Sequence, residues 1–185
     1  NGTRLDTTNY FWPPSWVLDR PGFFNRSGMP MRFADLDGRM IDVYNAQTQM
    51  TDESGQTYPF TVNSLLDGAL GSAGYYGAFT INAHTDLAQI PESDAVLASA
   101  PLRGVPIVSA RQMLTWLDGR NGSAFSGLSW NGSALSFSVT VGAGARGLQA
   151  LLPAFSPAGV LTALTRGAVN VPFTMESVKG ITYAR

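Results

Sequence analysis

Cysteine is absent from this chain of 185 residues, and charged residues make up only 14% of it. The lack of cysteine excludes disulfides, a thiolate nucleophile and cysteine-based zinc sites. The net charge is −1, and no cluster of lysine or arginine occurs, so the sequence lacks the basic surface that binding to nucleic acid requires. No apolar stretch reaches the ~18 residues of a membrane span.

Histidine and lysine each occur once, as His84 and Lys179, whereas there are eleven arginines. This preference for arginine is typical of high-GC bacterial coding sequences. Polar character comes from serine, threonine, asparagine and glutamine, a bias common in extracellular proteins that handle neutral polymers. We therefore expect a bacterial protein that is secreted or held at the cell surface. The first residues have the pattern of a strand that has already begun, so we expect a mature chain or a cut fragment.

Hydrophobic residues form 44% of the chain, enough for a packed core. Helical spacing of apolar residues occurs over 58–70, 92–103 and 110–118, and the apolar runs 75–83 and 105–108 have strand length. The order helix, strand, helix, strand, helix predicts an α/β layer with a parallel sheet.

The regions before and after this predicted α/β layer have the patterns of hairpins instead. Residues 29–47 predict two strands around Asp37-Gly38, a hairpin turn signal. After Arg120 the apolar residues alternate with polar ones around Asn131-Gly132, which predicts further hairpins and a small antiparallel sandwich. We therefore expect two domains, 1–120 and 121–185.

His84 is the first candidate for chemistry because it follows a predicted buried strand. Ligands of α/β sheets gather at the carboxyl ends of strands, and a general acid near neutral pH needs the pKa of an imidazole. Asp86, two residues later, is placed to orient the ring or accept its proton. The alternative is a structural histidine whose ring nitrogens are satisfied by hydrogen bonds.

Further polar candidates occur near the start of the chain. Arg4 and Asp6 flank Leu5 and face the same side of the first predicted strand, either toward a polar cleft or as an ion pair at a sheet edge. Asp52 and Glu53 form a carboxylate pair of the kind used in glycoside hydrolysis, although adjacent residues point apart.

Aromatic residues are dense in the long loop of residues 13–30 and just before it. They suit stacking against sugar rings, or else they pin the loop through their own hydrophobic cluster. The expected substrate-binding residues are Tyr10, Trp12, Trp16 and Arg32.

Several segments resemble a known family. The run GAFTINAHTD (77–86), with SDAVLASAPLRG (93–104) and VPIVSARQMLTWL (105–117) after it, resembles the closing section of the polysaccharide deacetylase superfamily. Segments 4–17, 28–59 and 109–130 are similar to large bacterial secreted proteins that carry such a domain followed by a small β-sandwich. In those proteins the last strand resembles Lys179-Gly180-Ile181-Thr182-Tyr183-Ala184.

The resemblance implies a fold, a cofactor and residue roles. The fold is the C-terminal part of a distorted (β/α) barrel, followed by a small all-β, Ig-like sandwich. The cofactor is a divalent metal, usually zinc, held by an aspartate and two histidines, and its bound water attacks an acetyl group. His84 matches the histidine that protonates the leaving group, Arg4 resembles the arginine that orients the catalytic aspartate, and Asp6 is a cleft residue beside it.

The sequence departs from the family because it lacks the paired-aspartate motif and the His-x-x-x-His segment. With one histidine, this chain cannot build the metal site alone, so the metal is expected to be bound mainly by residues outside it. The partner is then the N-terminal half of the same precursor or another chain. The predicted function is deacetylation of an extracellular polysaccharide. The alternatives are a non-catalytic carbohydrate-binding or cell-surface module, and a glycoside hydrolase that uses Asp6 with Asp52.

Overall fold

A computed structural model describes residues 2–8, 29–53, 55–71, 77–178 and 180–185. The chain divides into two compact units, Asn1–Ala110 and Arg111–Arg185. Among the described residues, no helix is both long and apolar enough to cross a membrane.

The first unit contains two small sheets and two helices. The elements in chain order are β1 (Leu5–Asp6), β2 (Met31–Ala34), β3 (Met40–Asn45), β4 (Thr48–Thr51), α1 (Phe60–Leu70), β5 (Thr80–Asn82) and α2 (Pro91–Leu102). Strands β1, β3 and β2 form one sheet in that order, with β1 parallel to β3, and strands β4 and β5 form a parallel pair.

Strands β2 and β3 confirm the predicted hairpin around Asp37-Gly38. The Asp35 carboxylate accepts hydrogen bonds from the backbone N–H groups of Asp37 and Arg39, at 3.0 and 2.8 Å. Gly38 adopts a φ of +81°, which a residue with a side chain rarely does. The turn chemistry of the sequence therefore produces the hairpin locally.

The core of the first unit lies where β4, α1 and α2 meet. Apolar residues of α1 recur at helical spacing, as predicted, and bury one face of that helix against β4 and α2. The buried apolar residues of this cluster are Met50, Val62, Leu65, Leu66, Ala95 and Ala100. The helix connects two neighbouring parallel strands, so β4, α1 and β5 form one βαβ unit.

The second unit contains one helix and nine short strands in its described part. The elements are α3 (Ala110–Asn121), β6 (Ala124–Trp130), β7 (Leu135–Thr140), β8 (Leu152–Pro153), β9 (Phe155–Ser156), β10 (Gly159–Val160), β11 (Thr165–Arg166), β12 (Val169–Asn170), β13 (Met175–Val178) and β14 (Ile181–Ala184). Strands β6 and β7 confirm the hairpin predicted around Asn131-Gly132, and β14 pairs with both β8 and β13.

Helix α3 packs closely against the loop that follows β7. A Cβ atom added to Gly119 would lie 2.5 Å from the carbonyl oxygen of Ala143, so only glycine allows this approach. The Ser123 hydroxyl donates to the Gly119 carbonyl at 2.8 Å and accepts from the Gly142 N–H at 2.9 Å. The Trp116 indole donates to the Arg146 carbonyl at 3.0 Å. Backbone contacts thus supply much of the packing of this unit.

The predicted (β/α) barrel is wrong. A barrel requires a parallel strand after each helix, but residues 105–109, which follow α2, form no strand. Pro106 lacks the N–H that a ladder needs, and Ile107 and Val108 are exposed. The described chain is mostly β with three short helices, and no closed barrel forms within it.

The predicted Ig-like sandwich is also not formed in the described part of the second unit. Its strands divide into four separate sheets of two or three strands, whereas an Ig-like domain packs about seven strands into two facing sheets. Most of these strands contain only two residues, because glycine, proline and alanine recur at short intervals between the apolar positions.

Candidate functional site

The ends of strands β4 and β5 bring acidic residues and the histidine together. Thr51, the last residue of β4, is paired with Asn82, the last residue of β5. Asp52 follows β4 directly, and His84 follows β5 after one intervening residue. Because the strands are parallel, both side chains project from the carboxyl-end edge, where α/β proteins place their ligands.

A hydrogen bond joins His84 to Asp52. The distance from His84 Nδ1 to Asp52 Oδ2 is 2.8 Å, and His84 Nε2 lies 3.9 Å from Glu53 Oε1. The Asp52 side chain is only 14% exposed, whereas that of His84 is 55% exposed. A largely buried carboxylate therefore fixes one ring nitrogen, while more than half of the histidine side chain is exposed and its other nitrogen lies near Glu53.

The charges around His84 favour its protonated form. The hydrogen bond to Asp52 raises the pKa of His84, and the negative charges of Asp52, Glu53 and Asp86 raise it further. Reciprocally, the hydrogen bond from His84 lowers the pKa of Asp52. These shifts describe an imidazolium–carboxylate pair that persists to higher pH than an isolated histidine would remain charged.

The loop that carries Asp52 is anchored to β4 by polar contacts. The Thr51 hydroxyl donates to Asp52 Oδ1 and accepts from the Glu53 N–H, both at 3.3 Å. The Gln56 side-chain amide donates to the Gln49 carbonyl at 2.9 Å. The buried end of β4 thus limits the positions that the Asp52 carboxylate can take.

Asp86 joins the site through its charge. Its carboxylate raises the pKa of His84, while the hydrogen bond to the ring comes from Asp52. The orienting contact expected from Asp86 is thus made by Asp52.

Asp6 lies at the end of β1 and is held locally. Its Oδ1 accepts hydrogen bonds from the Thr8 N–H at 2.9 Å and from the Thr8 hydroxyl at 2.6 Å. These bonds lower the pKa of Asp6, with a further contribution from Asn45. The Thr7 carbonyl accepts from the Asn82 side-chain amide at 2.8 Å, which ties this strand end to β5.

Arg4 and Arg32 both bind Asp42 on β3. Arg4 reaches the two Asp42 oxygens at 3.1 and 3.2 Å, and Arg32 reaches Oδ1 at 2.8 Å. The Arg32 guanidinium also lies 4.5 Å from the ring centre of the buried Tyr44. The carboxylate that these two predicted site residues share is therefore Asp42, which the sequence did not single out.

The remaining predicted substrate-binding residues, Tyr10, Trp12 and Trp16, lie outside the described residues.

A metal site is not formed by the residues that the structure describes. No group of three or more histidine, aspartate or glutamate side chains converges there. The nearest donor set, His84 with Asp52 and Glu53, already commits Nδ1 and Oδ2 to a mutual hydrogen bond, which a cation would have to break. These residues do not fit the zinc site that the resemblance implies.

The sequence pointed to Asp52 only as one carboxylate of a glycoside hydrolase, paired with Glu53 or with Asp6, because strand β4 carries no apolar run. Its residues Thr48–Thr51 are all buried, yet three of the four are polar. Two β-branched threonines at the ends of the segment were the available signal for a strand. A strand there would have placed Asp52 at the same kind of strand end as His84.

Comparison of the chain with protein-family models, with curated proteins and with solved structures finds no significant match.

Proposed function

We propose that His84 acts as a general acid in a hydrolase and that Asp52 is the positioning residue that orients its ring. The observation that carries this proposal is the 2.8 Å hydrogen bond from the half-exposed imidazole to the largely buried carboxylate at the ends of two parallel strands. A histidine fixed through one nitrogen presents the other to a substrate in a constant direction.

The protonation state suits this role. Asp52, Glu53 and Asp86 raise the pKa of His84, so the ring keeps a proton that Nε2 can donate up to a higher pH than an isolated histidine would. Asp52 accepts the Nδ1 proton in a hydrogen bond and stabilises the imidazolium before the proton is transferred. General acid catalysis of this kind contributes typically ~10²–10⁴-fold to a rate.

The proposed reaction is removal of acetyl groups from an extracellular polysaccharide, the substrate class that the resemblance implies. Water adds to the acetyl carbonyl carbon, the bond from carbon to the sugar nitrogen or oxygen breaks, and His84 gives its proton to the departing atom. The products are acetate and the free amine or hydroxyl. We propose that the groups that activate the water belong to the N-terminal half of the precursor or to another chain.

The lowered pKa values of Asp6 and Asp52 argue against the alternative of a glycoside hydrolase. That chemistry needs one carboxyl group with a raised pKa as the acid. The pKa of Asp6 is lowered by Thr8, and the pKa of Asp52 is lowered by His84. Both groups are therefore ionised at neutral pH and cannot donate the required proton.

Acetate release from partially acetylated chitosan and from acetylated xylan tests the proposal. With the full-length protein, we expect His84→Gln to lower the rate at least ~100-fold. Asp67→Asn is the matched control: it removes a carboxylate that pairs with Arg103 at 2.7 Å on the surface of the same unit. The proposal is wrong if His84→Gln keeps the wild-type rate, or if the polysaccharides bind without any acetate release.

The pH profile separates the role of Asp52 from a merely structural one. Activity should fall as pH rises through the raised pKa of His84, because the acid loses its proton. Asp52→Asn should move this limb of the profile to lower pH, since the main cause of the shift is removed. An unchanged limb in a folded Asp52→Asn variant would contradict the positioning role.

A further inference from the structure

The hairpin formed by β6 and β7 has two chemically distinct faces. Its register pairs serine with serine, as Ser126 with Ser138 and Ser129 with Ser136, on one face. Alternation along the strands then places the apolar side chains on the other face. This apolar face consists of Phe125, Leu128, Trp130, Leu135, Phe137 and Val139.

A bulge keeps the two faces distinct along the whole hairpin. The register shifts between Ser126 and Ser129, so Gly127 and Leu128 together oppose Phe137. Gly127 has a φ of +59°, the left-handed conformation of the first residue of a glycine bulge. The extra residue brings Leu128 onto the side of Phe125, whose ring packs edge-on against Phe137 at 5.4 Å.

The residues that the structure describes leave the apolar face about half exposed. Five of its residues have exposed fractions between 47% and 63%, namely Phe125, Leu128, Trp130, Leu135 and Val139. Together they present on the order of 500 Å² of apolar surface, near the upper end for a monomer. A stable dimer buries ~800 Å² on each partner, so this face supplies more than half of the required area.

The hairpin and the residues next to it in the sequence carry no charge. No aspartate, glutamate, lysine or arginine occurs between Arg120 and Arg146. Two copies of this surface can therefore meet without burying an unpaired charge or opposing like charges. A charged partner, by contrast, would find no complementary group in this stretch of the chain.

We propose that the apolar face of the hairpin is the interface of a symmetric dimer of this chain. Two hairpins pack face to face, ~10 Å apart, with the apolar side chains between them and the serines toward solvent. An isolated two-stranded hairpin is marginally stable in water, and this packing gives each hairpin the second layer that it needs.

Sedimentation equilibrium of the chain tests the dimer. For the wild-type chain we expect a species of twice the 19.7 kDa chain mass. The Leu128→Glu substitution should raise the dissociation constant of this dimer at least ~100-fold. Leu36→Glu is the control, because Leu36 is a fully exposed leucine in the turn between β2 and β3 and should leave the Kd unchanged. A wild-type chain that stays monomeric at ~100 μM, or forms only larger polydisperse species, overturns the proposal.

Cross-linking tests the same face without depending on whether the Leu128→Glu variant folds. Since the chain has no cysteine, a single Leu128→Cys variant with a short bismaleimide should give a covalent dimer. Ser129→Cys places the thiol one residue away on the opposite face and should remain monomeric. Equal cross-linking of the two variants, or none with Leu128→Cys, contradicts a dimer through this face.

Discussion

The two units of the chain bury their apolar residues to very different extents. In the first unit, buried side chains include the large residues Tyr44, Met50, Leu65 and Leu66. In the described part of the second unit, Leu117 is the one large buried apolar residue, and the other three are alanines. The large apolar residues of β6 and β7 remain about half exposed instead.

The two units therefore use similar fractions of hydrophobic residues in two different ways. The first unit places its apolar residues on helix stripes that meet a buried strand, and the candidate site lies on the edge of this packed structure. The second unit relies on hairpin hydrogen bonds and on close backbone contacts around Gly119. Its exposed apolar residues are available to a partner, as in the proposed dimer.

The largest expected effect comes from emptying the core of the first unit. Leu65 is 1% exposed within the cluster formed by β4, α1 and α2. Leu65→Ala should therefore lower the free energy of unfolding of this unit by about 3 kcal/mol, from lost burial and the cavity left behind. Native-state hydrogen exchange of amides in α1 and α2 measures this loss.

The control for Leu65→Ala is the same substitution at Leu102, which is 86% exposed in α2. Leu102→Ala should change the free energy of unfolding by less than about 0.5 kcal/mol. If both substitutions lower protection equally, the packed core described for the first unit does not provide its stability.

A smaller effect is expected from adding one methyl group where α3 meets the loop after β7. Alanine favours helix over glycine by ~1 kcal/mol, but the Cβ of Gly119→Ala would lie 2.5 Å from the Ala143 carbonyl oxygen. We expect a net loss of about 2 kcal/mol in the stability of the second unit. The fluorescence of Trp116 and Trp130 during urea unfolding reports it.

Arg111→Ala on the same helix is the control, because Arg111 is exposed and its replacement should leave the urea midpoint nearly unchanged. An increase in stability on Gly119→Ala would mean that helix propensity outweighs the close contact. The second unit would then tolerate rearrangement of its backbone packing, and the close contacts around Gly119 would not be needed for its stability.

Sequence patterns predicted the local elements well and their assembly poorly. The turn signals at Asp37-Gly38 and Asn131-Gly132 and the apolar spacing of α1 each act over a few residues, so the chain itself specifies them. The barrel depended on residues 105–108 forming a strand, which Pro106 opposes, and on pairing between distant segments. Short apolar runs do not specify which partner they contact.

The sequence predicted only part of the candidate site, because its patterns specify local features and not contacts between distant segments. His84 follows a run of apolar residues and was identified from that pattern. Asp52 follows a buried strand made mostly of polar residues, which hydrophobic periodicity does not detect. Its contact with His84 depends on the parallel pairing of β4 with β5, a tertiary feature that no local pattern encodes.

The smallest expected effect is the pH dependence that the His84–Asp52 pair gives to the first unit. A raised pKa means that the folded state binds the His84 proton more tightly than the unfolded chain does. The stabilisation is complete below the ordinary histidine pKa of 6.5 and is lost as pH rises through the raised value. The lowered Asp52 pKa adds a contribution that is present above the ordinary 3.8 and is lost as pH falls through the lowered value.

The pair therefore stabilises the first unit most between about pH 4 and pH 6.5. The stabilisation is small even there, since half of the imidazole faces water. NMR titration of His84 should give a pKa above its ordinary value, and Asp52→Asn should move it back most of the way. Unfolding of the wild-type first unit should become slightly easier above that pKa, whereas the His84→Gln variant should lack this step. A His84 pKa below the ordinary value would show that burial outweighs the three nearby carboxylates, and the proton-donor assignment would fail with it.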